Sequence, residues 1–259
     1  MSAGRLLTDL FLPPRCLVCN RRLPVSPGKT APPLCPDCAF LWEAALRASC
    51  PACYAPYPDC RCATPAMRRA GIDVLVKLGP YDEEKEHAPV RAVVWRAKRQ
   101  RRRRLFDFLA GELRPGLLQS LEKEGVDRER CVLTWLPRGR AAFCRYGVDQ
   151  AKELAAALSR QTGIPAERLL LRRHDGKQQK ELNAKARLEN LKNAFAPVGD
   201  PDGRTVLLCD DLVTTGAGMA TGAALLKKSG AARVVGVSVA VTPLKKPKTA
   251  PPTARSGDA

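Results

Sequence analysis

The run from Val206 to Gly218 holds the residue types best suited to chemistry. An apolar stretch, Val206 to Cys209, meets two adjacent carboxylates, Asp210 and Asp211, and Thr214-Thr215-Gly216-Ala217-Gly218 follows shortly after. The apolar part is continuous, without polar alternation, as expected of a parallel strand covered on both faces. Small residues at the turn let the backbone come close to a ligand. Met219, Ala223 and Leu226 then recur at helical spacing, with Lys227 and Lys228 in the last turn and Gly230 just beyond. Strand, small-residue turn and helix N-terminus together form an anion cradle, in which free N–H groups and the positive end of the helix dipole face one phosphate. Asp210 and Asp211 stand just ahead of it and suit hydroxyl groups. A phosphate beside hydroxyls describes a sugar phosphate.

A second constellation is made of cysteines. Eight of the chain's eleven lie between Cys16 and Cys62. Cys16-x2-Cys19 and Cys35-x2-Cys38, fifteen residues apart, have the spacing of a zinc ribbon, and Cys50-x2-Cys53 with Cys60-x-Cys62 supplies a second set of four. Two knuckles close a tetrahedron of thiolates with no open position, so two structural zinc sites are expected. Spacing alone leaves open which knuckles share an ion; sequential pairing is the simplest arrangement. Metal also explains how so short a Cys-rich segment folds without an adequate core of its own. Cys131 and Cys209 sit in apolar runs and read as small buried hydrophobes.

Elements that position these groups follow from periodicity. Ile72 to Leu78, Val132 to Leu136, Leu169 to Leu171, the run ending at Asp211, and Val234 to Val241 read as strands. Val90 to Leu113 reads as a long helix or a helix pair, and Asp149 to Gln161 and Ala184 to Asn193 as helices. Strands alternating with helices predict a parallel α/β sheet with ligands at the carboxyl ends of its strands. The expected organisation is a metal-stapled module over 1–66, with little periodicity, an α/β domain over 71–242, and a basic, Pro-rich, disordered tail over 243–259.

Net charge is +18, from 44 basic and 26 acidic residues, which favours polyanionic partners. Seven of the nine residues from Arg96 to Arg104 are basic: Arg96, Lys98, Arg99, Arg101, Arg102, Arg103 and Arg104. Four consecutive arginines exceed one helical turn, so this segment is read either as a solvated face or as a nucleic-acid site, single-stranded DNA included. Aromatic content of 5% offers no evident stacking platform, so such affinity should be chiefly electrostatic and salt-sensitive. No stretch is long and apolar enough for a membrane span, and Leu6 to Leu12 is too short for a signal peptide, so the expected location is the cytoplasm.

The Val206–Gly218 segment closely resembles the signature that binds PRPP (5-phosphoribosyl-1-diphosphate) in phosphoribosyltransferases. The resemblance implies a type I phosphoribosyltransferase-like fold, with Asp210 and Asp211 on the ribose hydroxyls and Thr214, Thr215, Gly216, Ala217 and Gly218 around the 5′-phosphate. Gly218 departs from the Thr or Ser usual there, and removes one side-chain hydroxyl from the cradle. Arg138, in Trp135-Leu136-Pro137-Arg138-Gly139-Arg140 after the second strand, suits the diphosphate, because guanidinium matches phosphate bidentately; a surface basic turn is the other reading. Taken whole, the chain resembles the ComF family, a double zinc ribbon ahead of such a domain. Arg145, Gly147 and Gln150 match one family element, and Gln179, Leu182, Arg187, Asn190, Ala194 and Phe195 keep the spacing of another. Val148, Asp149, Trp135 and Arg99-Gln100-Arg101 depart from it. The resemblance implies a part in handling incoming DNA during natural transformation, with protein partners of the uptake machinery.

Three readings follow, the last a purely structural adaptor with a vestigial pocket, which the intact Asp210-Asp211 and Thr214-Thr215-Gly216 elements disfavour; the other two use the pocket. In one the pocket binds PRPP as a sensor, and the ribbons and arginines engage DNA or protein. In the other the protein is a glycosyltransferase, in which PRPP with Mg²⁺ loses diphosphate to an acceptor and Asp210 and Asp211 are catalytic. Binding and catalysis use the same residues, so the motif does not separate them. Arg172 to Gln179 is the one polar loop long enough for a lid.

Overall fold

The computed structural model describes residues 13–24, 31–82, 88–98, 103–173 and 194–243. The expected helix from Ala184 to Asn193, positions 174–179 of the expected lid, Arg99, Arg101, Arg102 and the tail from 244 onward lie outside the described residues.

Four parallel strands form the main sheet in the order β1 (Leu75–Pro80), β6 (Arg233–Val241), β5 (Thr205–Val213), β2 (Cys131–Trp135). Alternate residues feed opposite cores. Leu133, Leu207, Cys209 and Val235 pack on one face, and Val132, Val206, Leu208 and Val234 on the other. The first face is covered by α3 (Pro89–Ala97), α4 (Arg103–Lys123) and α6 (Gln150–Thr162). The second is covered by α7 (Ala217–Lys228) and the short α2 (Pro65–Arg69). Both faces are therefore buried, which is why these strands read as unbroken apolar runs.

The Val90–Leu113 pattern resolves as a pair of helices, and the second continues to Lys123 through Pro115. A proline inside a helix removes one backbone donor. Here Leu117 and Leu121 extend the buried stripe of Leu105, Leu109 and Leu113, and their burial outweighs that loss. The third expected strand does not join the sheet. β3 (Leu170–Arg172) instead pairs antiparallel with β4 (Phe195–Pro197) in a separate two-stranded ribbon. Three helices escaped the periodicity reading, the five-residue α2, α1 (Pro36–Leu46) among the cysteines and α5 (Arg140–Tyr146) after β2. α1 buries only Cys38 and Trp42, and α5 leaves Phe143 49% exposed, so neither shows an apolar stripe.

The Cys-rich segment shares the core of the sheet. Cys16, Leu17, Cys35, Cys38 and Trp42 pack in one cluster with Val93, Leu109 and Leu113, and the Trp42 indole donates to Glu112 Oε2 at 3.0 Å. The second cysteine set covers the open edge of β1, where Cys62 bridges Val74 and the Leu75 N–H reaches the Arg61 carbonyl at 3.0 Å. Cover at the start of an edge strand hinders its pairing with another chain. Lys77, only 2% exposed, sends its ammonium to the carbonyls of Cys62 (3.0 Å), Cys60 (3.2 Å) and Leu75 (3.3 Å). Lys77→Met should cost about 1–3 kcal/mol, since it strands buried carbonyls, and urea titration of the metal-loaded protein measures it. An unchanged midpoint would show that those carbonyls find water.

Candidate functional site

β5 carries Asp210 and Asp211 out of the core at its carboxyl end. Both are partly exposed, whereas Val206 to Cys209 are fully covered. The Asp211 N–H donates to Asp210 Oδ1 at 2.9 Å, which locks the two acids side by side. Burial first, and then the neighbouring Asp211 charge, raise the Asp210 carboxyl well above the ordinary carboxylate range, with Lys98 pulling the other way. Asp211 Oδ2 is buried with no hydrogen-bond partner among the described residues. A buried acceptor without a donor is costly, so this atom is suited to a ligand hydroxyl or cation.

After the acids the chain turns. Thr214 and Thr215 are exposed, and Thr215 Oγ1 accepts from the Ala217 N–H at 3.3 Å. Gly216, at φ +80°, caps α7, which only glycine adopts without strain. A Cβ there would also lie 2.1 Å from Thr64 Oγ1 and 2.9 Å from Met67 Cγ. The glycine turn thus rests on α2, directly downstream of the second cysteine set. Gly218 differs: a Cβ would meet nothing closer than Leu136 Cδ1 at 3.6 Å. Gly218→Ser should therefore fit, and its hydroxyl should tighten phosphate binding about tenfold. Calorimetry with ribose 5-phosphate checks this; weaker binding would mean that the anion does not reach this turn.

A cleft of about 680 Å³ opens over the acids. Asp210, Asp211 and Gly218 face it, as do Arg138 from the β2–α5 loop and Lys98 at the end of α3. Thr214, Thr215, Gly216 and Ala217 are not among its lining residues. The Arg138 guanidinium lies over the Tyr146 ring at 4.9 Å and donates to the Val148 carbonyl at 3.1 Å. Arg145, Tyr146, Asp149, Gln150, Arg172 and Phe195 complete the walls. The motif reading did not assign these residues to the ligand. Arg145 and Gln150 had only their match to a family element as a signal, and Arg172 arrives through the antiparallel ribbon. Asp149 caps α6 by accepting the Lys152 N–H at 3.4 Å and also faces the Arg138 N–H at 3.4 Å. Burial raises its carboxyl, with Asp211 adding to the effect.

The basic run meets several fates. Arg96 donates to the Val18 carbonyl at 3.0 Å and Arg104 to the Ala31 carbonyl at 2.9 Å, so both hold the backbone around the first cysteine set. Arg103 pairs with Asp107 at 3.4 Å, and Lys98 faces the acid pair.

Each cysteine set gathers its sulfurs within 4.8 Å: Cys16, Cys19, Cys35 and Cys38 in one, Cys50, Cys53, Cys60 and Cys62 in the other. Sequential knuckles are thus the ones brought together. Cys19 and Cys35 Sγ are 3.7 Å apart, while sulfurs at tetrahedral zinc distances stand about 3.8 Å apart. Burial, with neighbouring thiols, pushes Cys62 up to about 12 and Cys38 higher still. Four thiolates can share such a space only around a cation, so both sets fit zinc.

A parallel sheet that ends in an acid pair and a glycine turn defines a phosphoribosyltransferase-type domain, and the family model described as "Phosphoribosyl transferase domain" matches residues 145–254. Two proteins called "DNA utilization protein YhgH" resemble most of the chain. That of Escherichia coli O157:H7 is 28% identical over 222 residues, covering 85% of this chain and 86% of the relative. That of Salmonella typhi is 28% identical over 231 residues, covering 87% and 96%. With its two cysteine sets ahead of this domain, the chain has the organisation that the resemblance to the ComF family implies. A solved structure, TT1426 from Thermus thermophilus, superposes on 57% of this chain and 86% of its own at 20% identity and a TM-score of 0.31, too low to bear on the fold. No helix among the described residues is long and apolar enough to cross a membrane.

Proposed function

We propose that the cleft binds PRPP and that the protein acts as a PRPP-binding protein of the ComF type in the uptake or processing of DNA. The observation that carries this reading is the acid pair itself, two locked carboxylates at a cleft floor with one buried oxygen unpartnered, a step ahead of a glycine turn. Asp210 and Asp211 hold the ribose hydroxyls. The turn from Thr214 to Gly218 cradles the 5′-phosphate with amides and the α7 dipole. Arg138, Arg145 and Lys98 stand where the diphosphate would extend. Mg²⁺, when it arrives with PRPP, would neutralise diphosphate charge beside these residues. The DNA role rests on the name of the relatives. The sites and partners named for it are proposals in the same sense, as is a cytoplasmic location.

A second reading, transfer of phosphoribose to an acceptor, is favoured by those three cations at the diphosphate end. As the C1–oxygen bond breaks, the diphosphate leaves with the bonding pair and an oxocarbenium-like centre develops. Fixed cations stabilise the leaving charge, and the acids hold the ring in place. Calorimetry with PRPP and Mg²⁺ tests binding, and diphosphate release in the presence of bases or amines tests transfer. Binding without release supports the sensor; release lost in Asp210→Asn/Asp211→Asn supports the enzyme. No heat of binding overturns both.

A further inference from the structure

Beside the acid-pair cleft lies a second one of about 670 Å³, and the two share Pro137, Arg138, Asp149 and Arg172. Its walls gather six cations, Arg138, Arg140, Lys152, Arg168, Arg172 and Arg173, from four different segments of the chain. Asp149 is its one acid, and that carboxylate already accepts backbone N–H groups of Arg138 and Lys152. Among the described residues, no acid forms an ion pair with Arg140, Lys152, Arg168 or Arg173. Some arginines elsewhere are neutralised, as in the two-pronged Arg204–Glu167 pair at 2.7 and 3.0 Å. Holding like charges together opposes folding and is relieved by a polyanion.

Two rings stand among these charges. Phe143 is three residues beyond Arg140, one turn along the same side of α5, and is 49% exposed. Trp135 is almost covered, with the Lys152 ammonium 5.9 Å above its ring. A half-exposed phenylalanine amid guanidinium groups adds nothing to the core, yet matches the needs of a strand with unstacked bases, whose phosphates seek cations and whose bases seek aromatic faces. In a duplex those faces are hidden.

We propose that this cleft binds single-stranded nucleic acid, with phosphates on Arg140, Arg168 and Arg173 and a base on Phe143, so that the strand runs up to the sugar-phosphate pocket at Arg138 and Arg172. The inference builds on the PRPP reading of that pocket. It places nucleic acid away from Arg96, Arg103 and Arg104, whose charges hold the protein's own chain.

The test is fluorescence anisotropy of a labelled oligo-dT, and of a matched duplex, with the full-length, metal-loaded protein over a salt series. Arg140→Gln/Arg173→Gln should weaken strand binding about tenfold and flatten the salt slope by about 1.4, at roughly 0.7 for each phosphate no longer neutralised. Phe143→Ala should weaken it roughly fivefold or more with the slope unchanged. Arg47→Gln, at the exposed end of α1, serves as the control. Neither Arg140, Arg173 nor Phe143 lines the acid-pair cleft, so PRPP binding by calorimetry should be unchanged in these variants. Strand affinity equal to wild type in both variants overturns the proposal. So does a duplex bound as tightly as the strand, or tripolyphosphate competing at the strand's own affinity with no effect of Phe143→Ala, which would mark a site for small phosphates only. Strand binding that falls as expected in a protein that takes no PRPP would overturn the pocket reading and leave the cleft standing.

Discussion

Asp210→Asn/Asp211→Asn should abolish measurable PRPP binding while leaving the fold intact. Each carboxylate offers charge-assisted acceptors to ribose hydroxyls, and such bonds contribute about 1.5–3 kcal/mol each. Losing two costs about 3–6 kcal/mol, a factor of roughly 10² to 10⁴ in affinity. The stability effect has the opposite sign. Burial and Asp211 raise the Asp210 carboxyl well above its unfolded value. A raised folded pKa means that the contribution to stability is fully present below the unfolded pKa and is lost as pH rises through the folded one. Ionisation of Asp210 therefore costs the unliganded protein stability. Asp210→Asn alone should melt at or above the wild-type temperature at pH 7, while PRPP affinity falls. For the same reason PRPP binding by the wild type should weaken on acidification from a pH above the ordinary carboxylate range. A melting temperature several degrees lower in Asp210→Asn would instead make the pair a structural cap for α7.

Removing metal should have the next largest effect. Each chain is expected to hold two zinc ions, countable by native mass spectrometry, and chelation should lower the melting temperature by at least about 10 °C. Buried residues of the first set share a core with α3 and α4, so its collapse opens one face of the sheet. The second set seals the edge of β1 and leads directly into Thr64 and Met67, the platform under Gly216. The two sets should therefore fail differently. Cys60→Ser should weaken PRPP binding through the displaced turn, whereas Cys19→Ser should chiefly lower stability. Gly216→Ala should mimic the former, since its methyl drives the turn off the same platform. Acid should release both ions as the thiolates protonate. Full PRPP affinity in a chain stripped of metal would show that the turn stands without α2.

Much of this protein is legible one segment at a time. The cysteine knuckles, the Asp210-Asp211 pair, the Thr-Thr-Gly turn and its helix are contiguous, and their chemistry depends on neighbours a few residues away. The four sheet strands, buried on both faces, announce themselves as apolar runs. α5 and β4 do not, because each is short and lacks an apolar period of its own; α5 exists where it caps the wall of a cleft, and β4 where it meets β3. Assignments of charge were the least legible. Arg96 and Lys98 are two residues apart in one basic run, yet one grips the Val18 carbonyl and the other faces Asp210. Arg140, Lys152, Arg168 and Arg173 make no run at all and meet in a single cleft. An amino-acid sequence by itself determined which groups are candidates for metal and for sugar phosphate here, because each set is short-range along the chain. Only the tertiary structure decided which cations are consumed in holding the fold and which are gathered in one cleft, because an arginine side chain reaches partners some seventy residues distant, and packing alone selects them.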